Sequence, residues 1–320
     1  MTARALFHLL VSIGFAGAAT AQEFRDPAVS SFGPPSPTAI RQCNGSADNP
    51  VPVIAGCTTI INARQTTAVE RSNAYTNRGR AFFRRDERDR ALADFAQAVS
   101  LNPRNSRALA NRGDLYSAMG EFDRAIADYD SAIMANPGDF EAYSQRGNAR
   151  LMTVDPERAI ADYDQAIKLS PWHEAYFNRG NAHLGRSQYD RAIDDYNQAL
   201  KLKADYAPAF DNRCWARAVV GILKQALADC NEALRLMPNN AETLDSRGFV
   251  FLKMTHFDAA VSDYDAALRI EPKLAFALYG RGLARLKNQD SAGEEDIAAA
   301  KSLQADIAEE YIRYGMQEAR

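Results

Sequence analysis

The chain has 320 residues, four cysteines and a formal net charge of −3. A nucleic-acid partner requires a clustered basic surface, so this charge balance gives no support for nucleic-acid binding. Length alone suggests two domains, but the internal repeat described below overrides that expectation, because repeat proteins grow by adding units.

The first 21 residues, 1–21, have the features of a signal peptide. Arg4 precedes an apolar run from Ala5 to Ala18, and residues 19–21 (Ala-Thr-Ala) then offer the small side chains that a signal peptidase accepts. The run is shorter than the roughly 20 apolar residues that span a bilayer, which weighs against the alternative of an uncleaved membrane anchor. The sequence therefore predicts a periplasmic or secreted chain that begins at Gln22 and keeps no integral membrane segment.

Residues 22–42 are predicted to be a flexible, proline-rich linker. They include the run Gly33–Pro37 and contain too few apolar side chains to offset the entropy cost of ordering. Residues 43–71 are predicted to form an N-terminal cap or degenerate half-repeat, because Val53–Cys57 is similar to the segment Ala125–Tyr129 of the repeat.

An Arg-Gly dipeptide marks a repeat of 34 residues between residues 72 and 305. Its spacings are 34, 34, 33, 34, 34 and 34 residues, and a proline near the end of most units keeps step with it. A one-residue deletion therefore falls between Pro171 and Arg179. The arginines of the seven units are Arg78, Arg112, Arg146, Arg179, Arg213, Arg247 and Arg281, and all but Arg213 are followed by glycine.

Within each unit the apolar spacing predicts two helices. In the second unit Leu109, Gly113 and Tyr116 lie at i, i+4 and i+7, which places them on one face of a helix. A turn around Gly120 follows, and residues 125–132 then carry a second such face. Two short helices with one apolar stripe each must pack against one another and against the next pair.

This pattern resembles the tetratricopeptide repeat, whose 34-residue unit has glycine at repeat position 8, aromatic residues at 11 and 24, alanine at 20 and 27, and proline at 32. The resemblance implies an all-α fold, an α-solenoid in which about seven helix-turn-helix units form a right-handed superhelix, with a polar capping helix at residues 306–320. The seventh unit keeps Asp296 in register if one residue is inserted near Gly293. In the first unit, numbered from Ser72, the pattern is carried by Tyr75, Gly79, Phe82, Ala91, Phe95, Ala98 and Pro103.

The cysteines suggest two disulfides. Cys214 replaces the glycine of position 8 and Cys230 replaces the aromatic residue of position 24 in the same unit, while Cys43 and Cys57 are similarly spaced in the N-terminal cap. In an exported chain this favours the local pairs Cys43–Cys57 and Cys214–Cys230 among three possible pairings. The alternative is four buried free thiols.

Arginine at position 7 is matched in every unit by an aspartate at position 23. Both positions flank the apolar stripe, where an arginine fork can hold a carboxylate with two hydrogen bonds. We interpret these as structural ion pairs between the helices of a unit, and an anion-binding ladder is the alternative. The aspartates are Asp94, Asp128, Asp162, Asp195, Asp229, Asp263 and, with the inserted residue, Asp296.

Position 6 carries a series of amides and lies opposite the packed stripe of its helix. In the family the first helices line a concave surface, and some members hold an extended peptide backbone with such asparagines. Asparagine is a poor helix former, so its recurrence favours peptide binding over mere tolerance of an exposed position. The predicted peptide-binding residues are Asn77, Asn111, Gln145, Asn178 and Asn212 at position 6, with Asn148 and Asn181 at position 9.

No catalytic or metal-binding pattern is found in the sequence. The four histidines are scattered, and no glycine-rich phosphate loop or nucleophile elbow occurs. We therefore expect no enzyme activity and no cofactor or metal. The sequence predicts an adaptor that binds a peptide or protein segment in the concave groove, and the alternative is a self-associating structural scaffold of the cell envelope.

Overall fold

The structure is a computed structural model that describes residues 33–46 and 49–316. All regular secondary structure in these residues is α-helical: seventeen helices are present and no strand, which confirms the all-α class. The signal peptide predicted for residues 1–21 lies outside the described residues. The chain divides into two compact units, and the boundary between Pro171 and Trp172 coincides with the place where the repeat is one residue short.

The N-terminal unit consists of four consecutive helix pairs. Each pair is an antiparallel hairpin of a first and a second helix, and the first helices of neighbouring repeats also contact each other. The helices are α1 (Pro37–Cys43), α2 (Pro50–Asn62), α3 (Ala68–Arg84), α4 (Arg88–Leu101), α5 (Ser106–Ala118), α6 (Phe122–Ala135), α7 (Phe140–Met152) and α8 (Pro156–Leu169).

The C-terminal unit consists of four further helix pairs and one short final helix. Its first helices are in mutual contact in the same way. The helices are α9 (His173–Gly185), α10 (Tyr189–Leu202), α11 (Ala207–Val219), α12 (Leu223–Leu236), α13 (Ala241–Lys253), α14 (Phe257–Ile270), α15 (Ala275–Lys287), α16 (Ala292–Leu303) and α17 (Ile307–Arg313).

Short polar residues begin several of the first helices. Thr67 and Glu70 form a capping box at the start of α3, and Asn105 and Asp139 accept hydrogen bonds from the first-turn amides of α5 and α7. Such caps satisfy amides that have no partner within the helix. Asn240 caps α13 in the same way.

A ring resting on a glycine joins the two helices of most repeats. The Tyr129 ring lies on Gly113 so closely that a Cβ atom there would be 2.8 Å from the ring carbon Cε1. A side chain at position 8 would therefore push the second helix away. The same contact joins Phe95 to Gly79, Tyr163 to Gly147, Tyr196 to Gly180 and Tyr264 to Gly248.

The N-terminal cap differs from the prediction. Residues 37–43 are helical rather than linker, and they pair with α2 as a complete short hairpin rather than a half-repeat. Proline at the first helical position needs no amide donor, and Ser36 caps the helix, so a proline-rich segment begins this helix instead of breaking it. A Cβ atom on Gly56 would lie 2.6 Å from the carbonyl oxygen of Ala39, which shows how closely the two helices approach.

The C-terminal end closes with α17, which lies within the residues 306–320 predicted to form the cap. Just before it, the seventh repeat differs from the others, because Arg281 and Asp296 pair at a separation of 15 residues where the other six pairs have 16. In the part of the chain that the structure describes, no helix combines the length and apolar character needed to cross a membrane.

Candidate binding surface on the first helices

The position-7 arginines hold the position-23 aspartates with two parallel hydrogen bonds. In each of the seven repeats Nε and Nη2 of the arginine donate to the two carboxylate oxygens over 2.5–3.2 Å. The aspartates are buried, so these bonds compensate the cost of removing each carboxylate from water. The pairs are Arg78–Asp94, Arg112–Asp128, Arg146–Asp162, Arg179–Asp195, Arg213–Asp229, Arg247–Asp263 and Arg281–Asp296.

The third donor of several arginines reaches back to the preceding repeat. Nη1 of Arg146 donates to Asp130 over 2.6 Å, and Nη1 of Arg281 donates to Asp265 over 2.7 Å. Arg213 and Arg247 make the equivalent contact with Asn197 and Asn231. The guanidinium donors are thus used within the protein, which favours the structural interpretation over an anion-binding ladder.

A second arginine, which the sequence analysis missed, joins three of these pairs. Arg150 donates to Asp162 over 2.8 Å, and Arg217 and Arg285 donate to the aspartates of their own repeats over 2.5 and 2.8 Å. All three stand at position 11, where the family has an aromatic residue. Arginine in place of the aromatic residue at position 11 was the feature of the sequence that could have predicted these contacts.

The four cysteines form the two local pairs. The Cα atoms of Cys43 and Cys57 are 4.5 Å apart, and those of Cys214 and Cys230 are 5.4 Å apart, with the sulfur atoms at bonding distance in both pairs. Cys214 and Cys230 are fully buried at the place where other repeats put a ring against a glycine. A covalent link therefore replaces that packing contact in the fifth repeat.

Position 9 accepts a hydrogen bond from the tyrosine of position 24 in three repeats. The hydroxyl of Tyr129 donates to Asp114 over 2.8 Å, and that of Tyr163 donates to Asn148 over 2.7 Å. Tyr196 donates to Asn181 in the same way, over 2.8 Å. A buried hydroxyl needs such a partner, so these polar residues have an internal role whatever else they bind.

Three of the predicted peptide-binding amides are buried. Asn77 is 9% exposed, Asn181 6% and Asn212 2%. Nδ2 of Asn212 donates to Oδ1 of Asn181 over 2.8 Å, and Nδ2 of Asn77 donates to Asn44 over 3.2 Å. Here the structure differs from the prediction of an open ladder, because neighbouring first helices approach closely enough for their side chains to bond to one another.

The remaining amides keep contact with solvent. Gln145 is exposed, and Asn111, Asn148 and Asn178 are partly exposed. Nδ2 of Asn111 donates to the carbonyl of Arg107 on its own helix, which leaves its Oδ1 without a donor among the described residues. Gln145 accepts from Nδ2 of Asn148 over 2.7 Å.

Asn111, Gln145 and Asn148 belong to a continuous polar surface in the N-terminal unit. We use the term first-helix face for the side of the first helices that carries repeat positions 2, 6 and 9. Every one of these positions in α3, α5 and α7 is polar, and all but Asn77 are at least partly exposed. Arg107 spans two helices by donating to Asn77 over 3.0 Å. The nine residues are Asn73, Asn77, Arg80, Arg107, Asn111, Asp114, Glu141, Gln145 and Asn148.

Asp114 carries an unusual carboxyl group on this face. Burial raises its pKa from 3.8 to about 6, and the negative charges of Glu141 and Asp139 add to the shift. The hydrogen bond from Tyr129 and the charge of Arg80 act in the opposite direction. Because the folded pKa is above the ordinary value, ionisation of Asp114 opposes folding: the cost is absent below about pH 4 and fully present above about pH 6.

We expect Asp114→Asn to stabilise the protein by about 1–3 kcal/mol at neutral pH, since it removes a charge that the partly buried position disfavours and keeps an acceptor for Tyr129. At about pH 4 residue 114 is neutral in the folded wild type as well as in the folded variant. The stability gained by the substitution should then fall below about 0.5 kcal/mol. Urea unfolding of both proteins at the two pH values measures this. A gain of the same size at both pH values would show that the charge is not its cause.

In the last three repeats of the C-terminal unit the corresponding face carries aromatic rings and is covered. Trp215 and Phe249 replace the polar residues of position 9, and Phe276 stands at position 2 of the last repeat. Tyr311 of α17 stacks on Phe276 with ring centroids 4.2 Å apart, and the Tyr314 ring meets Trp215 edge-on at 4.9 Å. The chain's own C-terminal segment therefore lies on this surface.

Neither face carries a metal-binding cluster in the described residues. In the described residues no group of three or more histidine, cysteine, aspartate or glutamate side chains is arranged to hold a metal ion. The arrangement in the N-terminal unit offers amide donors, amide acceptors and charges of both signs, which suits recognition of a polar chain segment.

Comparisons with known proteins agree on the repeat. Family models described as tetratricopeptide repeat match residues 173–206 and residues 76–140, 111–172 and 247–310, which together span more than half of the chain. No curated protein is similar enough to the chain to match it.

Solved structures with the same fold are distant in sequence. YrrB, described as a TPR protein with an unusual peptide-binding site, is 21% identical with a TM-score of 0.51 over 58% of this chain and 97% of its own. PilW, described as a type IV pilus biogenesis factor, is 19% identical with a TM-score of 0.58 over 64% and 96%. A tetratricopeptide repeat protein from Parabacteroides merdae ATCC 43184 is 19% identical with a TM-score of 0.54 over 78% and 99%. With the family models matching more than half of its residues, the chain belongs to the tetratricopeptide-repeat family.

Proposed function

We propose that this protein binds another protein through the first-helix face of its N-terminal unit and is an adaptor rather than an enzyme. The observation that carries the proposal is the unbroken polar character of that face. Helix surfaces without a partner tolerate many residue types, whereas three neighbouring helices here present only amides and charges at nine positions. The description of YrrB as a peptide-binding repeat protein supports the same mode of action.

The chemistry of the face fits an extended segment of a partner protein. A primary amide donates to a backbone carbonyl and accepts from a backbone N–H, so Asn111 and Gln145 can bind main chain without regard to sequence. Arg107 and Glu141, both exposed, can add selectivity for charged side chains of the segment. We propose these four residues as the contact set, with Asn148 supporting Gln145.

The proposed location is the periplasm or the extracellular space. The signal-peptide pattern of residues 1–21 supports export. Two local disulfides support it independently, because such bonds persist in oxidising compartments.

A self-associating scaffold is the second candidate. End-to-end stacking requires an apolar end surface, whereas α17 exposes Glu309 and Arg313 beside one large apolar side chain, Ile312. Light scattering over a hundredfold concentration range separates the two candidates. An adaptor keeps one mass, and a scaffold grows with concentration.

The experiment that tests the adaptor proposal uses two matched variants. The double variant Asn111→Ala with Gln145→Ala should raise the Kd about tenfold for a partner isolated with the wild-type protein. Each lost hydrogen bond is worth about 0.5–1.5 kcal/mol. The control is the double variant Gln97→Ala with Gln165→Ala. Both glutamines are exposed, occupy the same repeat position, and lie on the second helices α4 and α8, outside the first-helix face.

Alanine has the higher helix propensity, so both variants should be at least as stable as the wild type. Equal loss of affinity in the two variants, or no loss in the first, would rule out the first-helix face as the contact surface. Calorimetric titration of the purified partner gives the comparison.

A further inference from the structure

The C-terminal segment, residues 307–316, occupies the aromatic face of the last three repeats like a ligand. Tyr311 is 1% exposed and Tyr314 3%. The Tyr311 ring contacts Phe276, Tyr279 and Phe249 with centroids 4.2, 4.8 and 5.7 Å away. This surface lies in the C-terminal unit and is separate from the polar face of the proposed function.

Two features of the repeats fit the segment closely. A Cβ atom on Gly280 would lie 2.3 Å from Cζ and the hydroxyl oxygen of Tyr264 and 2.4 Å from the Tyr311 hydroxyl oxygen, so glycine at this position leaves room for both tyrosine hydroxyl groups. The Tyr311 hydroxyl then donates to the carbonyl of Phe276 over 2.9 Å. Position 6 holds an amide or serine in the other repeats, so Gly280 is the exception, and it admits Tyr311 beside Tyr264.

Lys253 holds the end of the segment by hydrogen bonds to main-chain carbonyl groups. Its Nζ donates to the carbonyl of Tyr314 over 2.9 Å and to the carbonyls of Ala218 and Val219, at the end of α11, over 2.8 and 3.1 Å. Because the contact is to main chain, Lys253 would accept any segment that places a carbonyl at this point. Recognition by side chain is left to the two tyrosines.

The order of the segment depends on its docking. Helix α17 has seven residues, and an isolated helix of that length is not stable in water, because nucleation costs more than a few hydrogen bonds return. Release of the segment would therefore give a disordered tail and an uncovered aromatic surface. Terminal elements that rest on few contacts open more readily than the interior of a fold.

We propose that the segment is a displaceable internal ligand, and that the surface beneath it binds a helical segment of a partner protein that carries two tyrosines three residues apart. The internal segment shows the chemistry that this surface selects: two rings on one turn of helix, between Trp215 and Phe276, and a free carbonyl for Lys253. The partner gains access only when the tail is released.

The test is a binding measurement on the full chain. The probe is a fluorescent peptide of residues 304–316, and the two receptors are the wild type and the variant Tyr311→Ser with Tyr314→Ser, whose own tail cannot dock. We expect the peptide to bind the variant at least tenfold more tightly than the wild type. A control peptide with both tyrosines replaced by serine should bind neither receptor.

Equal binding to both receptors, binding to neither, or binding of the control peptide would overturn the proposal. If the variant does not fold, hydrogen exchange of the wild type decides the question. We expect the amides of residues 311–316 to exchange at least tenfold faster than those of residues 247–252 in α13. Exchange of both segments at one common slow rate would show that the tail is a permanent part of the fold.

Discussion

Replacing Arg112 by alanine is expected to lower the free energy of unfolding by about 2–4 kcal/mol, because it leaves the buried carboxylate of Asp128 without its partner. Both oxygens of that carboxylate are held by Arg112 alone among the described residues, over 2.7 Å each. The same change at Arg146 should cost only about 0.5–2 kcal/mol, because Arg150 still donates to Asp162. Thermal and urea unfolding of the two variants measures the difference.

Two controls separate pairing from packing. Arg146→Leu keeps apolar packing and should leave the fold intact. Arg112→Leu combined with Asp128→Ala removes both charges, and we expect it to recover most of the stability lost in Arg112→Ala. If Arg112→Ala and Arg146→Ala were equally costly, or if either left melting unchanged and abolished partner binding, the structural interpretation of these pairs would be wrong.

Removing the Cys214–Cys230 disulfide is expected to lower the free energy of unfolding by about 3 kcal/mol. The disulfide closes a loop of about 15 residues and so restricts the unfolded chain. The fifth repeat has no ring over position 8 to take its place, and both cysteines are fully buried. The variant Cys214→Ala with Cys230→Ala should therefore melt several degrees below the wild type.

The matched comparison is Cys43→Ala with Cys57→Ala, which affects only the terminal hairpin of α1 and α2. Loss of the Cys43–Cys57 disulfide should expose that hairpin to proteolysis and leave the melting temperature of the repeats nearly unchanged, because terminal elements unfold locally. Peptide mapping without reductant establishes the pairs directly. Four free thiols in protein taken from the periplasm would contradict the prediction.

The helix pairs were predictable because one packing solution is repeated along the chain. Glycine at position 8 and a ring at position 24 recur in the sequence, and the ring rests on the glycine in the five repeats that have both. The same periodicity located every arginine and aspartate of the seven ion pairs. At the N-terminus the prediction was wrong, because the proline-rich composition of residues 22–42 indicated a flexible linker, whereas Pro37 stands at the first position of α1.

The first-helix face was harder to predict. On a single helix positions 6 and 9 lie opposite the packed stripe, yet Asn77 and Asn212 at position 6 and Asn181 at position 9 are buried because neighbouring first helices contact each other. A helical wheel describes one helix and omits that contact. The aromatic face could have been predicted from the sequence, because Trp215 and Phe249 stand at a repeat position where earlier repeats carry polar residues.

Site-specific photo-crosslinking tests the central claim most directly. A photoreactive amino acid is placed singly at residues 111 and 145, on the first-helix face, and at residues 97 and 165 on the second helices, and the cells are irradiated with the protein in its own compartment. The account predicts that the same partner protein is crosslinked from residues 111 and 145 and not from residues 97 and 165. Crosslinks to that partner from 97 and 165 but not from 111 and 145 would show that the polar face of the first helices is not the binding surface.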